Sequence, residues 1–150
     1  YHRLVPGGKV RLKSGLIIQH KSTELDENGV PVTLHCEYLE GTESGGPNSG
    51  MKVKGTIQWV SSSHAVECEL YNYESLLVDA KDGVTDFRER LNPNSLNIIK
   101  GAKAEEFVAE GEIGKVYQFM RSAYYKKAGT FDGIVRFYRV VELRDTYNKK

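Results

Sequence analysis

Apolar and polar residues alternate with period two in short runs along most of the chain. Such alternation is typical of strands that bury one side, because successive side chains point to opposite faces of a sheet. Turn-forming residues separate the runs, and this spacing predicts an all-β fold of antiparallel barrel or sandwich type. The runs are residues 9–13, 16–25, 32–40, 51–60, 64–73, 95–99, 105–110, 115–121, 122–127 and 134–145.

Two of the connections have distinctive patterns. The sequence "DENGV" (26–30) predicts a tight β-hairpin, since Asn28-Gly29 tolerates the positive φ that such turns require. The segment 41–50, "GTESGGPNSG", is too rich in Gly and Ser to hold regular structure and predicts a flexible loop.

The segment 76–96 predicts a boundary between two β units. It contains "TDFRERL", which predicts one helical turn, and Asn92-Pro93, which ends that turn because the residue before proline disfavours helical backbone. We therefore expect this segment to divide the chain into an N-terminal barrel and a second β unit.

The basic residues are concentrated at the two ends of the chain. Residues 1–23 carry five Lys or Arg and no acid, residues 24–114 carry seven bases and seventeen acids, and residues 115–150 carry nine bases and three acids. We expect the ends to converge on one positive face, as a nucleic-acid footprint would require. Charges scattered over a solvated surface explain the same pattern equally well.

Catalytic and metal chemistry have little support in the sequence. The four histidines, His2, His20, His35 and His64, lie far apart, which predicts structural roles and no metal site. Cys36 is expected to be a buried, inert thiol. With two cysteines, no apolar run near eighteen residues and no signal-peptide pattern, we expect a soluble protein of a reducing, intracellular compartment without a membrane anchor.

Three basic segments favour binding of single-stranded RNA. They are "YHRLVPGGKVRLKSG" (1–15), "YQFMR" (117–121) and "RFYRVVELRD" (136–145). Arginine can read base edges with two parallel hydrogen bonds, glutamine offers both a donor and an acceptor, and the rings of Tyr117, Tyr124 and Tyr138 can stack on unpaired bases. In the first segment Arg11 and Lys13 are two residues apart, so we expect them on the same strand face.

Ordered motifs over nearly the whole chain point to one family. "YHRLVPGGKVRL", "VKGTIQWVSSSHAV", "LNPNSL", "YQFMR" and the closing "LRDTY" resemble the C-terminal anticodon-binding region of the glutaminyl-tRNA synthetases. The resemblance implies two antiparallel β-barrels, a distal one over residues 1–92 and a proximal one to which residues 93–150 contribute strands. They would follow a class I catalytic core, whose nucleotide-binding motifs are absent from this sequence.

The resemblance also implies contacts, partners and chemistry. The parent protein would ligate glutamine to its tRNA with ATP and Mg²⁺, in the cytoplasm, as a monomer joined to an upstream catalytic domain. The present chain would hold no cofactor and no catalytic residue. The implied anticodon contacts are His2, Arg3, Arg11, Lys13, Gln118, Arg121 and Arg144.

The run "MKVKGTIQWV" (51–60) gains a possible role from the same resemblance. Its apolar residues Val53, Ile57 and Trp59 are expected to fill the barrel, while Lys52 and Lys54 would lie near phosphates or the seam between barrels. A purely solvated lysine face remains an equal alternative.

Two other readings stay open at this point. The chain could be the anticodon-binding region of a glutamyl-tRNA synthetase, or a non-catalytic β-barrel module that binds RNA or protein. The "GTIQWVSSSHA" stretch favours the glutamine enzyme.

Overall fold

The computed structural model describes residues 3–79 and 85–143, and it is all-β as predicted. Its only α-helix within those ranges is the single turn α1 (Phe107–Glu110), and 3₁₀ turns cover Ser62–His64 and Phe87–Arg90. The strands are β1 (Lys9–Leu12), β2 (Ile17–Leu25), β3 (Pro31–Leu39), β4 (Thr56–Ile57), β5 (Ala65–Tyr73), β6 (Leu96–Glu105), β7 (Val116–Phe119), β8 (Ala123–Phe131) and β9 (Ile134–Glu142).

Unit 1, Tyr1–Trp59, contains a four-stranded sheet in the order β3-β2-β1-β4. The predicted hairpin joins β2 to β3. The Asp26 carboxylate accepts the main-chain N–H groups of Asn28 and Val30 at 2.9 and 2.8 Å, and Gly29 has a φ of 77°. Strand β1 pairs antiparallel with β2 and parallel with β4, so it lies inside the sheet.

Strand β3 is an edge strand of this sheet. The run 32–40 was predicted as a half-buried strand, and it does form a strand. Its apolar side chains Val32, Leu34 and Tyr38 are nevertheless exposed. Alternation fixes which side chains share a face but does not supply the layer that would cover that face.

Unit 2, Val60–Lys150, contains a five-stranded sheet in the order β6-β5-β9-β8-β7. Its core lies against one face of β5, β8 and β9, where alternate side chains are buried. Phe137 and Cys68 are fully buried there, and the rings of Phe137 and Phe119 contact edge to face with centroids 5.1 Å apart. The other buried members are Leu70, Ala104, Val108, Ala123, Tyr125 and Val135.

The compact units divide after Trp59, whereas the sequence suggested a boundary between residues 92 and 93. That position lies inside unit 2, between β5 and β6, which pair over Ala65–Tyr73 and Leu96–Glu105. The 3₁₀ turn Phe87–Arg90 matches the predicted helical turn. The turn residues near Asn92 therefore mark a connection between sheet neighbours, a role that local composition does not distinguish from a linker.

Two predicted strands have a different structure. Residues 105–110 were predicted to be extended, but the helical turn α1 occupies most of them, consistent with the good helix formers Glu and Ala in "EEFVAE". In the run 51–60 only Thr56–Ile57 forms a strand.

The expectation that Trp59 fills the interior was wrong. Trp59 is 44% exposed, and its indole N–H donates to the main-chain oxygen of Lys13 at 3.1 Å. The indole N–H therefore has a hydrogen-bond acceptor at the surface of unit 1, as is common for tryptophan side chains.

Candidate nucleic-acid interface

A basic pocket in unit 1 combines three cationic side chains with three valines. Its volume is about 340 Å³, within the range of roughly 300–1,000 Å³ that is usual for small-molecule sites. Arg3 and Lys54, which the sequence singled out, line it together. The basic pocket is lined by Arg3, Val5, Lys9, Val10, Val53, Lys54 and Gly55.

The turn before β1 shapes one wall of the basic pocket. Gly8 N–H donates to the Val5 oxygen at 2.8 Å, and Gly7 has the positive φ of 69° that glycine adopts without strain. Gly7 N–H donates to Nδ1 of His20 at 3.2 Å, so the opposite ring nitrogen carries the proton and donates to Thr23 Oγ1 at 2.6 Å. His20 is 7% exposed and fully hydrogen-bonded, which confirms its predicted structural role.

The guanidinium of Arg11 is bound to the main chain of its own unit. Nη1 donates to the oxygens of Gly15 at 3.3 Å and Thr42 at 2.5 Å. Nη2 donates to the oxygens of Ser49 and Met51, each at 3.1 Å. Four of the five N–H donors of this side chain therefore have protein acceptors. Its role as an anticodon contact stays a prediction.

The loop 41–50 contains no helix or strand, in agreement with its composition, but it is anchored by hydrogen bonds. Thr42 is fully buried; its hydroxyl accepts the N–H of Ile17 at 2.9 Å and donates to the oxygen of Leu39 at 2.6 Å. Together with the contacts of Arg11, these bonds attach the loop to β1, β2 and β3. Its Gly and Ser content correctly indicated irregular structure. It gave no indication of the hydrogen bonds that anchor the loop.

The remaining implied contacts of unit 1 are exposed and lie outside the basic pocket. Lys13 directly follows β1, and Lys52 precedes the pocket residue Val53. His2 and Arg144 lie outside the described residues.

Gln118 and Arg121 lie on one hairpin of unit 2. Gln118 is exposed on β7, directly opposite Tyr124 on β8. Arg121 is exposed in the turn that joins these strands and has a φ of 63°, a conformation that costs energy for a residue with a Cβ. The turn is closed by a 2.9 Å hydrogen bond from Ser122 N–H to the Phe119 oxygen.

Two arginines of the third basic segment, Arg136 and Arg139, form ion pairs with acidic partners. Arg136 bonds to Glu69 at 3.3 Å and lies over the ring of Tyr71, 4.9 Å from its centroid. Arg139 bonds to Glu74 at 2.5 Å and to Glu142 at 2.9 Å. These pairs reduce the positive charge that the sequence count suggested for this end of the chain.

The three tyrosines that we expected to stack on bases differ in exposure. Tyr124 and Tyr138 present 36% and 38% of their surface. The hydroxyl of Tyr117 is buried instead, and its ring packs edge to face on Phe137 with centroids 6.0 Å apart. Tyr117 therefore belongs to the core of unit 2.

Lys9 and the three valines of the basic pocket were missed as site residues by sequence reasoning. Lys9 was visible as part of the basic opening segment. Nothing in the sequence indicated the valines as site residues, because the alternation of a strand predicts that such residues face a core. The approach of residues 53–55 to β1 brings Val53 and Lys54 together with Arg3, Lys9 and Val10.

The described histidines and cysteines form no metal site: no group of three or more His, Cys, Asp or Glu side chains within residues 3–79 and 85–143 could hold a metal ion. His35 Nε2 lies 2.6 Å from a Glu24 oxygen, and this hydrogen bond lowers the pKa of the Glu24 carboxyl. The prediction that Cys36 is buried was wrong, since it is exposed on the edge strand β3. Cys68 is the buried thiol, and burial raises its pKa to about 11.

The part of the chain that the structure describes contains no helix of the length and apolarity needed to cross a membrane.

Comparison with known proteins identifies the class of protein that this chain resembles. Residues 56–128 match the family described as tRNA synthetases class I (E and Q), anti-codon binding domain. This match confirms the predicted class, an anticodon-binding domain of the class I tRNA synthetases.

Nearly the whole chain is similar to proteins named "Glutamine--tRNA ligase". The relative from Rhodopirellula baltica is 40% identical over 154 residues, covering 99% of this chain and 26% of the relative. The relative from Pectobacterium atrosepticum is 39% identical over 150 residues, covering 98% and 27%. That from an Enterobacter species is 40% identical over 153 residues, covering 99% and 27%. The chain thus spans about a quarter of the length of these curated relatives.

Proposed function

We propose that this chain recognises tRNA by its anticodon loop, as the anticodon-binding region of a glutamine–tRNA ligase. The observation that carries the proposal is the basic pocket, which Arg3, Lys9 and Lys54 line together with three valines. The matched family and the names of the relatives support the same function.

The basic pocket has the chemistry that an unpaired nucleotide requires. The valines that line it can accept the apolar face of a base that has left the loop stack. Arg3, with its planar donor fork, is suited to a base edge, whereas Lys9 and Lys54 are compact charges suited to phosphate. Arg3 would therefore contribute discrimination, and the lysines would contribute affinity that depends on salt.

Gln118 and Arg121 are proposed as further contacts, made by the β7–β8 hairpin of unit 2. The exposed amide of Gln118 offers a donor and an acceptor, and Tyr124 opposite it offers an exposed ring. Arg121 retains a side chain at a backbone position that glycine would fill with less strain, which supports a functional role.

The parent protein, by this proposal, ligates glutamine to its tRNA in the cytoplasm with ATP and Mg²⁺, and its catalytic domain belongs to the same chain. Recognition of the anticodon would position the distant acceptor end for the reaction. The matched family covers the E and Q enzymes alike, so glutamate is the alternative amino acid; the names of the relatives favour glutamine.

Binding of glutamine tRNA transcripts to the protein and its variants tests the proposal. We expect Lys54→Ala to lower the affinity for all tRNAs and to flatten the dependence of log K on log salt by about one contact. Arg3→Ala should instead reduce discrimination at one anticodon base, by about 1–3 kcal/mol. Lys100→Ala removes the same charge from an exposed position of β6 and serves as the control.

Two results would contradict the proposal. One is a Lys54→Ala protein with wild-type affinity and salt slope. The other is a wild-type protein that binds tRNAs with altered anticodons as tightly as the glutamine tRNA.

A further inference from the structure

We propose that His20 is a positioning residue of the basic pocket. Its imidazole ring holds the turn 5–8, and the chain on either side of this turn carries Arg3 and Lys9 to the pocket. The inference rests on the function proposed above for the pocket. Because His20 is only 7% exposed, it acts on RNA binding through the turn and not by direct contact.

The turn 5–8 connects the two halves of one pocket wall. Arg3 and Val5 line the basic pocket where the chain enters the turn. Lys9 and Val10 line it where the chain leaves the turn and begins β1. The entering half belongs to no strand, so pairing of β1 with its neighbours does not fix it. The conformation of the turn therefore determines how the two cations stand relative to each other.

His20 binds this turn with both its main chain and its side chain. The main-chain N–H of His20 donates to the oxygen of Gly8 at 3.0 Å. Its ring nitrogen Nδ1 accepts the N–H of Gly7 at 3.2 Å. Two adjacent residues of the turn are thus attached to one residue of β2, and the bond from Gly7 depends on the identity of the side chain.

Thr23 determines which nitrogen of the ring is the acceptor. Nε2 of His20 lies 2.6 Å from Thr23 Oγ1 and donates to it, so the proton is on Nε2 and Nδ1 keeps a lone pair for Gly7. A neutral imidazole offers one donor and one acceptor in a fixed geometry, which matches both partners. Loss of the acceptor would leave the N–H of Gly7 without this bond and release the turn.

Two substitutions separate the two hydrogen bonds of the ring. In asparagine, Oδ1 is as many bonds from Cα as Nδ1 is in histidine, so His20→Asn can keep the bond from Gly7 and loses the bond to Thr23. In glutamine, Nε2 is as many bonds from Cα as Nε2 is in histidine, so His20→Gln can keep the bond to Thr23 and loses the bond from Gly7. Each variant loses one bond of the same buried side chain, so each is the control for the other.

Titration of the two variants with the glutamine tRNA tests the inference. We expect His20→Gln to weaken binding by on the order of tenfold, the size of one lost contact, and to flatten the dependence of log K on log salt. His20→Asn should bind within about twofold of the wild-type protein. Urea denaturation should show similar losses of stability in both variants. Equal tRNA affinities of the two variants, or weaker binding by His20→Asn alone, would overturn the inference.

The tautomer of His20 in the wild-type protein gives a readout that requires neither RNA nor a folded variant. A long-range proton–nitrogen correlation spectrum at neutral pH should show the proton on Nε2 and an unprotonated Nδ1. A proton on Nδ1 would overturn the inference. If the wild-type protein binds no tRNA, the proposed function fails and this RNA-related role fails with it, while the tautomer still shows whether His20 holds the turn.

Discussion

The hydroxyl group of Tyr117 fills the space beside Gly111 in which any other residue would place its Cβ atom. Gly111 directly follows α1, and the ring of Tyr117 packs on Phe107 and Phe137 with centroids 5.9 and 6.0 Å away. A side chain at position 111 would therefore displace a ring that belongs to the core of unit 2. The hydroxyl itself is buried without a hydrogen-bond partner among the described residues.

Gly111→Ala is expected to lower the free energy of unfolding by about 1–3 kcal/mol, because the added methyl overpacks this contact. Tyr117→Phe removes only the hydroxyl, so alone it should be neutral or slightly stabilising. Combined with Gly111→Ala, it should restore much of the lost stability. Urea denaturation of the three variants measures this, and a double variant no more stable than Gly111→Ala would refute the steric explanation.

Lys127→Met is expected to destabilise the protein by about 1–3 kcal/mol. Lys127 is only 4% exposed, and its ammonium group donates to the oxygens of Ala109 at 2.6 Å and Gly111 at 2.8 Å. One of these carbonyls lies in the single turn of α1 and the other directly after it, and both would lose their donor. The neighbouring Lys126 is exposed, so Lys126→Met should change stability by less than about 0.5 kcal/mol. Equal effects at the two positions would contradict this account.

Arg121→Gly is expected to increase stability and decrease tRNA affinity. Glycine relieves the left-handed backbone strain at this position, which we expect to raise the free energy of unfolding by up to about 1 kcal/mol. Asp132, in the β8–β9 turn, has a φ of 50°, so Asp132→Gly is a control with the same backbone change. Thermal unfolding and tRNA titration should show stabilisation in both variants and weaker binding only in Arg121→Gly. An unaltered tRNA affinity of Arg121→Gly would show that Arg121 does not contact the tRNA.

The two thiols should differ in reactivity. Cys36 is exposed, whereas Cys68 is fully buried with a pKa raised to about 11. Since the thiolate is the reactive form, iodoacetamide at neutral pH should modify one thiol in the native protein and two in urea. Cys68 should become reactive in the native state only as the pH approaches its raised pKa. Native modification that persists in Cys36→Ser would show that Cys68 is accessible.

The sequence by itself predicted the strands, the hairpin at Asn28-Gly29 and the family. These features depend on neighbours in the chain: alternation selects a strand, glycine permits a turn, and ordered motifs identify a family. The same local rules failed where a distant partner decides. Trp59 alternates like a core residue, yet a carbonyl on Lys13 holds it at the surface.

Tertiary structure decided the composition of the candidate site. Arg11 has the same residue type and charge as Arg3, but its donors meet oxygens of Thr42, Ser49 and Met51, while Arg3 lines the basic pocket. Lys54 becomes a pocket residue only because the chain returns to β1 some forty residues later. Hydrogen-bond acceptors and pocket walls come from segments remote in sequence, so a local pattern can name the groups that could bind RNA but cannot say which of them the fold leaves available.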